Sequence, residues 1–144
     1  MDDCVFCQIA RGELDAAVVW QDDATLAFLD RRPLFVGHTL LIPRAHVPTL
    51  MALPPDLVAP LFEQARRLAR AVQEAMGADG IFVGINNHVS QSVPHLHLHI
   101  VPRTKGDGLK GFFWPRRKYA SEDEMAEVAA RIREALADTS ALSG

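Results

Sequence analysis

The stretch SQSVPHLHLHIVPR, Ser90 to Arg103, sets His95, His97 and His99 at alternating positions between Pro94 and Pro102. In extended chain successive side chains point to opposite faces about every 3.3 Å, so the three imidazoles share one face. Leu96, Leu98 and Ile100 share the other. One face is thereby available to an apolar core and the opposite face to chemistry. Half of the chain's six histidines stand on this element.

Outward from it, the pattern reads as α+β with a mostly antiparallel sheet. AVVW, TLAFLD and FVGHTLLIPRAH are separated by turn signals short enough for a meander. Gly37 marks a bulge or a close backbone approach, and Pro43 ends the third strand. From Pro55 to Met76 apolar residues recur at helical spacing (Leu57, Leu61, Ala65, Leu68, Val72), and Gly77 stops the helix. GIFVGIN restores a strand, and the loop NHVSQSV delivers the chain to the histidines. A last helix begins near Ser121, with Glu124 as the answering residue of a capping box. The expected organisation is one domain over 1–144, with 104–144 forming a C-terminal loop and helix extension.

Composition narrows the function classes. A net charge of −3, from 15 basic and 18 acidic residues, offers no bulk attraction to long nucleic acid or anionic membrane. A nucleotide ligand would have to be held by local groups. The N-terminus has neither a basic nor an apolar leader pattern, and no apolar run approaches the roughly 20 residues of a membrane helix, so the expected location is the cytoplasm. Cys4 and Cys7, the only cysteines, form a CxxC pair suited to metal or redox work.

Three readings of the histidine face stay open on residues alone. The imidazoles are structural hydrogen bonders; or they converge on one metal ion; or one attacks phosphorus while its neighbours hold phosphate oxygens. No acidic residue stands near the strand to act as base for metal-activated water, since the nearest are Asp79 and Asp107.

HLHLHIV, His95 to Val101, resembles the signature of the histidine triad superfamily, and GHTLLIPRAH, LAFLD and CVFCQI resemble its upstream elements. The resemblance spans Cys4 to Arg103. It implies a five-stranded antiparallel sheet with two main helices, and hydrolysis or transfer of nucleoside monophosphoryl groups through a covalent nucleotidyl-histidine. Carried over by position, His97 is the nucleophile, His99 contacts an α-phosphate oxygen and His38 supports them from a facing strand. Ser92 and Gln91 grip the phosphoryl group or protonate the leaving group. Asn86 and Asn87 are candidate phosphate or ribose contacts, Asp30 accepts the ribose hydroxyls, and Phe6, Ile9 and Leu29 form an apolar base slot.

The resemblance also implies a structural zinc site, because members of the family and the related uridylyltransferases complete such a cysteine pair with two histidines. Here those are His46 and His95. A redox role for the pair is one alternative, and cysteines present by chance or as vestiges of a lost site are another. The expected substrates are nucleoside 5′-phosphoramidates or related adenylylated small molecules, with AMP as a ligand and no obligatory magnesium. Dinucleoside polyphosphate hydrolysis is one alternative, and a nucleotide-binding regulatory protein without turnover is another. The expected assembly is a homodimer around the 55–76 helix and an adjacent sheet edge, since a small five-stranded sheet has an edge to protect and pairing protomers protects it. Within the 107–115 loop, Phe112, Phe113 and Trp114 are expected over the neighbouring pocket.

Overall fold

Residues 3–109 and 114–143 are described by the computed structural model, with side chains through 138. Phe112 and Phe113 lie outside the described residues, and Trp114 is exposed. The chain divides into a first unit ending at Asp107 and a second beginning at Gly108.

In the first unit five strands form one antiparallel sheet: β1 (Val18–Gln21), β2 (Thr25–Leu29), β3 (Thr39–Pro43), β4 (Gly80–Ile85) and β5 (Leu98–Arg103), in the order β1-β2-β3-β5-β4. The meander of β1 to β3 follows from its short turns. Asp22 builds the first of them, its carboxylate accepting from the backbone N–H groups of Ala24 and Thr25. β5 carries the histidine element into the sheet between β3 and β4. Leu40 faces His99 across that junction, so two histidine-bearing segments meet.

One face of the sheet is covered by α2 (Pro55–Met76), whose Leu61, Ala65, Leu68 and Val72 pack on Ala27, Leu41, Leu96, Leu98 and Ile100. Burying each such leucine or isoleucine contributes on the order of 2 kcal/mol. The other face carries a second cluster of Phe6, Leu26, Phe28, Leu40 and Ile42 beneath a short helix, α1 (Val5–Ala10). Gly77 ends α2 in the left-handed conformation, φ 59°.

Three local expectations shift. β3 begins at Thr39 and not at Phe35, because Gly37 takes φ 102° and the His38 N–H turns back to the Phe35 carbonyl at 3.0 Å. β5 begins at Leu98, so His95 and His97 stand before the ladder. Pro94 has no N–H to offer it, and the Leu96 N–H instead donates to the Val47 carbonyl at 2.7 Å. The alternation of faces persists regardless, with Leu96, Leu98 and Ile100 all in the α2-side core. α1 is an addition to the sequence reading: the Cys4 sulfur caps it by accepting from the Cys7 N–H at 3.4 Å.

The second unit holds α3 (Glu122–Ser143). Its start is a capping arrangement in which the Ser121 hydroxyl accepts from the Glu124 N–H at 3.1 Å and the Glu124 carboxylate accepts from the Ala120 N–H at 2.9 Å. Among the described residues no helix is long and apolar enough to cross a membrane.

Candidate active site

Between α1 and the outer face of β2 and β3 lies a cavity of about 490 Å³, with Phe6, Ile9, Leu14, Phe28, Leu40 and Val93 among its apolar wall residues. Its polar groups are Ser92, His97, His99, Asp30, Asp15 and Arg31. An apolar slot with a few convergent polar groups is the usual form of a small-ligand site.

The hydrogen bonds fix where each imidazole carries its proton. His97 Nδ1 lies 2.8 Å from the His95 carbonyl oxygen, which can only accept, so Nδ1 bears the hydrogen and Nε2 keeps its lone pair. No residue among those described is bonded to Nε2. A second chain of bonds starts at Leu34, whose N–H donates to His38 Nδ1 at 3.0 Å. His38 must then be protonated on Nε2, which donates to His99 Nδ1 at 3.0 Å. His99 in turn is protonated on Nε2. The site therefore presents one bare imidazole nitrogen, on His97, and one imidazole N–H donor, on His99.

Burial keeps His99 and His38 uncharged. His99 is pushed down to about 4, first by burial, then by its neighbours His97 and His38, with Asp30 opposing. His38 is lowered by burial, against the pull of Asp30. The Asp30 carboxylate stands 3.8 Å from His38 Nε2, but that nitrogen's single hydrogen is committed to His99, so the two do not form an ion pair at neutral pH. One Asp30 oxygen accepts from the Arg32 N–H at 2.9 Å, and the carboxylate retains acceptor capacity on the cavity wall. Asp30, His38 and His99 together do not offer a metal seat, because both His38 nitrogens are used in neutral hydrogen bonds.

The structure thus brings Phe6, Ile9, Leu29, Asp30, Ser92, His97 and His99 to one cavity, with His38 directly behind His99. It does not bring Asn86, Asn87 or Gln91 there. The Gln91 amide donates to the Pro48 carbonyl at 2.7 Å and accepts from the His88 N–H at 2.9 Å, while the Asn87 oxygen accepts from the Leu50 N–H at 2.8 Å. These side chains brace a loop in which His88 and Ser90 take φ of 70° and 62°, conformations uncommon for non-glycine residues. The sequence reading missed Leu14, Asp15, Phe28 and Arg31 on the wall. Phe28 was findable from the alternation Leu26, Phe28 along β2.

Beside the cavity, Cys4, Cys7, His46 and His95 present one donor atom each, all within 4.8 Å of one another. His95 Nδ1 is 3.5 Å from both sulfurs, and His46 Nδ1 is 3.3 Å from the Cys7 sulfur. For zinc, arms of about 2.3 Å to sulfur and 2.05 Å to nitrogen give a tetrahedral edge of about 3.6 Å, so the set fits. His95 Nε2 donates to the Pro43 carbonyl at 2.8 Å, which leaves Nδ1 bare toward the sulfurs. Burial, and then the hydrogen bond and charge of Cys4, push the Cys7 thiol up, a penalty that a divalent cation would reverse.

The chain is similar to known proteins. A family model described as HIT domain matches residues 11–106. Adenylylsulfatase HINT3 of Arabidopsis thaliana is 40% identical over 110 residues, which make up 75% of this chain and 56% of that protein, so the chain spans little more than half of that relative. Protein hit of Bacillus subtilis is 34% identical over 143 residues, covering 96% of this chain and 97% of its own. The crystal structure of a zinc-bound histidine triad family protein from Mycobacterium smegmatis matches with a TM-score of 0.71 at 38% identity, over 93% of this chain and 98% of that one. The chain belongs to the HIT-domain family.

Proposed function

We propose that the protein hydrolyses or transfers nucleoside monophosphoryl groups, with nucleoside 5′-phosphoramidates as the leading substrate class and His97 as the nucleophile. The observation that carries the reading is the pair of opposite tautomers: bare Nε2 on His97 beside an Nε2–H on His99. The His97 lone pair attacks the α-phosphorus and forms a P–N bond as the bond to the leaving group breaks. The electron pair departs with the leaving group, which takes a proton from the Ser92 hydroxyl. The His99 N–H meets the charge that grows on a nonbridging oxygen. Water then attacks phosphorus and gives up a proton that restores the Ser92 hydroxyl, the electron pair of the breaking P–N bond returns to His97 Nε2, and the nucleoside monophosphate leaves. Asp30 accepts the ribose hydroxyls, and the apolar wall takes the base.

Support for a hydrolase of adenylylated compounds comes from the relative named adenylylsulfatase. The fit of Cys4, Cys7, His46 and His95 to a tetrahedral ion, with the zinc-bound relative, supports a structural zinc. When bound, the ion would cross-link the N-terminal segment to two others and supply no reactive group. A homodimer is supported by the exposed apolar residues Val58 and Phe62 of α2 and Val83 of the edge strand β4.

The experiment is turnover of adenosine 5′-phosphoramidate and of a dinucleoside polyphosphate by wild type and His97→Ala. Loss of turnover in the variant is expected. Undiminished activity in it would remove the mechanism, and a preference for the second substrate would move the protein to the polyphosphate branch.

A further inference from the structure

α1 is only six residues long, yet it belongs to two sites at once. Cys4 caps it and Cys7 lies within it, both in the candidate metal cluster, while Phe6 and Ile9 face the nucleotide cavity. The Phe6 ring packs edge-on against His97 with centroids 5.0 Å apart, and against His95 at 5.9 Å. The nucleophile is tied to the cluster a second time, because the carbonyl holding His97 Nδ1 belongs to His95.

The far end of α1 hangs on the same neighbourhood. The Arg44 guanidinium donates to the Ala10 carbonyl at 2.8 Å, to the Asp22 carbonyl at 2.6 Å and to the Gln21 side chain at 3.0 Å. Arg44 stands between Pro43, which accepts from His95, and His46, which meets Cys7. A helix this short has no stability of its own. Its position is set by the cluster at one end and Arg44 at the other.

We infer that the metal cluster and the nucleotide cavity are thermodynamically linked through α1, with Phe6 as the positioning residue that carries the coupling. This rests on the nucleotide and zinc readings given above. Filling the cluster fixes Cys4 and Cys7, and with them the Phe6 ring between them, so the wall is ordered before the nucleotide arrives. The ordering cost of that wall is then met by the metal and not by the ligand. By reciprocity, nucleotide must tighten metal by the same factor as metal tightens nucleotide.

The test measures AMP affinity by calorimetry on zinc-loaded and chelator-stripped full-length protein. It also measures zinc loss to a competing chelator with and without saturating AMP. Stripping should weaken AMP by about tenfold, and AMP should tighten zinc by about the same factor. The chelator arm starts from loaded protein, so it stands even if stripped protein unfolds. Phe6→Leu should bind both ligands with the factor reduced toward one, and Phe6→Tyr should restore it. AMP affinity unchanged by stripping, or zinc retention unchanged by AMP, overturns the linkage while leaving the nucleotide reading intact. No AMP binding to loaded protein overturns both. Full coupling in Phe6→Leu overturns the assignment to Phe6.

Discussion

The Nδ1 atom of His97 sits 2.8 Å from the carbonyl oxygen of His95, two residues earlier on the same face. This contact decides which nitrogen of the central histidine can act, because a carbonyl oxygen leaves only one tautomer open. His99 reaches the opposite tautomer by a different route, through His38 and the Leu34 N–H. Identical side chains at alternating positions thus acquire different tasks from their second hydrogen bonds.

His38→Phe keeps an aromatic ring in a buried position but removes the N–H that holds His99 Nδ1. His99 is then free to adopt either tautomer. We expect kcat on a nucleoside phosphoramidate to fall about 10- to 100-fold, with KM changed little. Steady-state kinetics at pH 7 checks this, and an unchanged kcat would separate His38 from the chemistry.

His99 has its pKa lowered to about 4, so it is neutral at pH 7 and donates as an imidazole, not as a cation. Because the folded value lies below the ordinary 6.5, the unfolded chain binds the proton first on acidification. The stability this group contributes is fully present above about pH 6.5 and is lost as pH falls from there toward 4. Histidine NMR should show His99 titrating well below 6, and a midpoint at or above 6.5 would contradict the burial argument.

Gly37 takes φ 102°, and a Cβ built there would lie 2.6 Å from Met76 Cγ. Gly37→Ala should destabilise the fold by roughly 1–3 kcal/mol and displace the adjacent His38. Urea unfolding measures the first effect. Adding Met76→Ala should recover only part of the loss, since the backbone strain remains. Complete recovery would show that the contact alone is responsible.

Purified protein should carry about one zinc per chain, and Cys7→Ser should weaken zinc on the order of 100-fold or more, lowering the melting temperature. Metal analysis and thermal unfolding report on it. Wild-type zinc content in this variant would take Cys7 out of the ligand set.

The legible parts of this molecule were those written in periodicity. α2 from Pro55 to Met76 and the division of the histidine element into a leucine face and an imidazole face could be read from spacing alone. α1 was not legible in that way: six residues give less than two turns of pattern, and its cap is a cysteine sulfur. The roles of Gln91 and Asn87 were hidden for a different reason. Polar loop residues fit a ligand or a neighbouring backbone equally well in sequence, and only their bonds to Pro48 and Leu50 show which they meet. Tautomers, likewise, depend on the partners the fold brings in, such as the Leu34 N–H behind His38 and His99.

The central claim is that His97 forms a covalent bond to phosphorus. It is tested most directly by reacting the protein with an adenosine 5′-phosphoramidate, quenching under alkaline conditions that preserve phosphohistidine, and locating the adduct by peptide mass spectrometry. The account predicts one adenylyl group on His97 itself, located by fragmentation within its peptide, and none in His97→Ala. An adduct on His99 or Ser92, or product formation by His97→Ala at the wild-type rate, would contradict it.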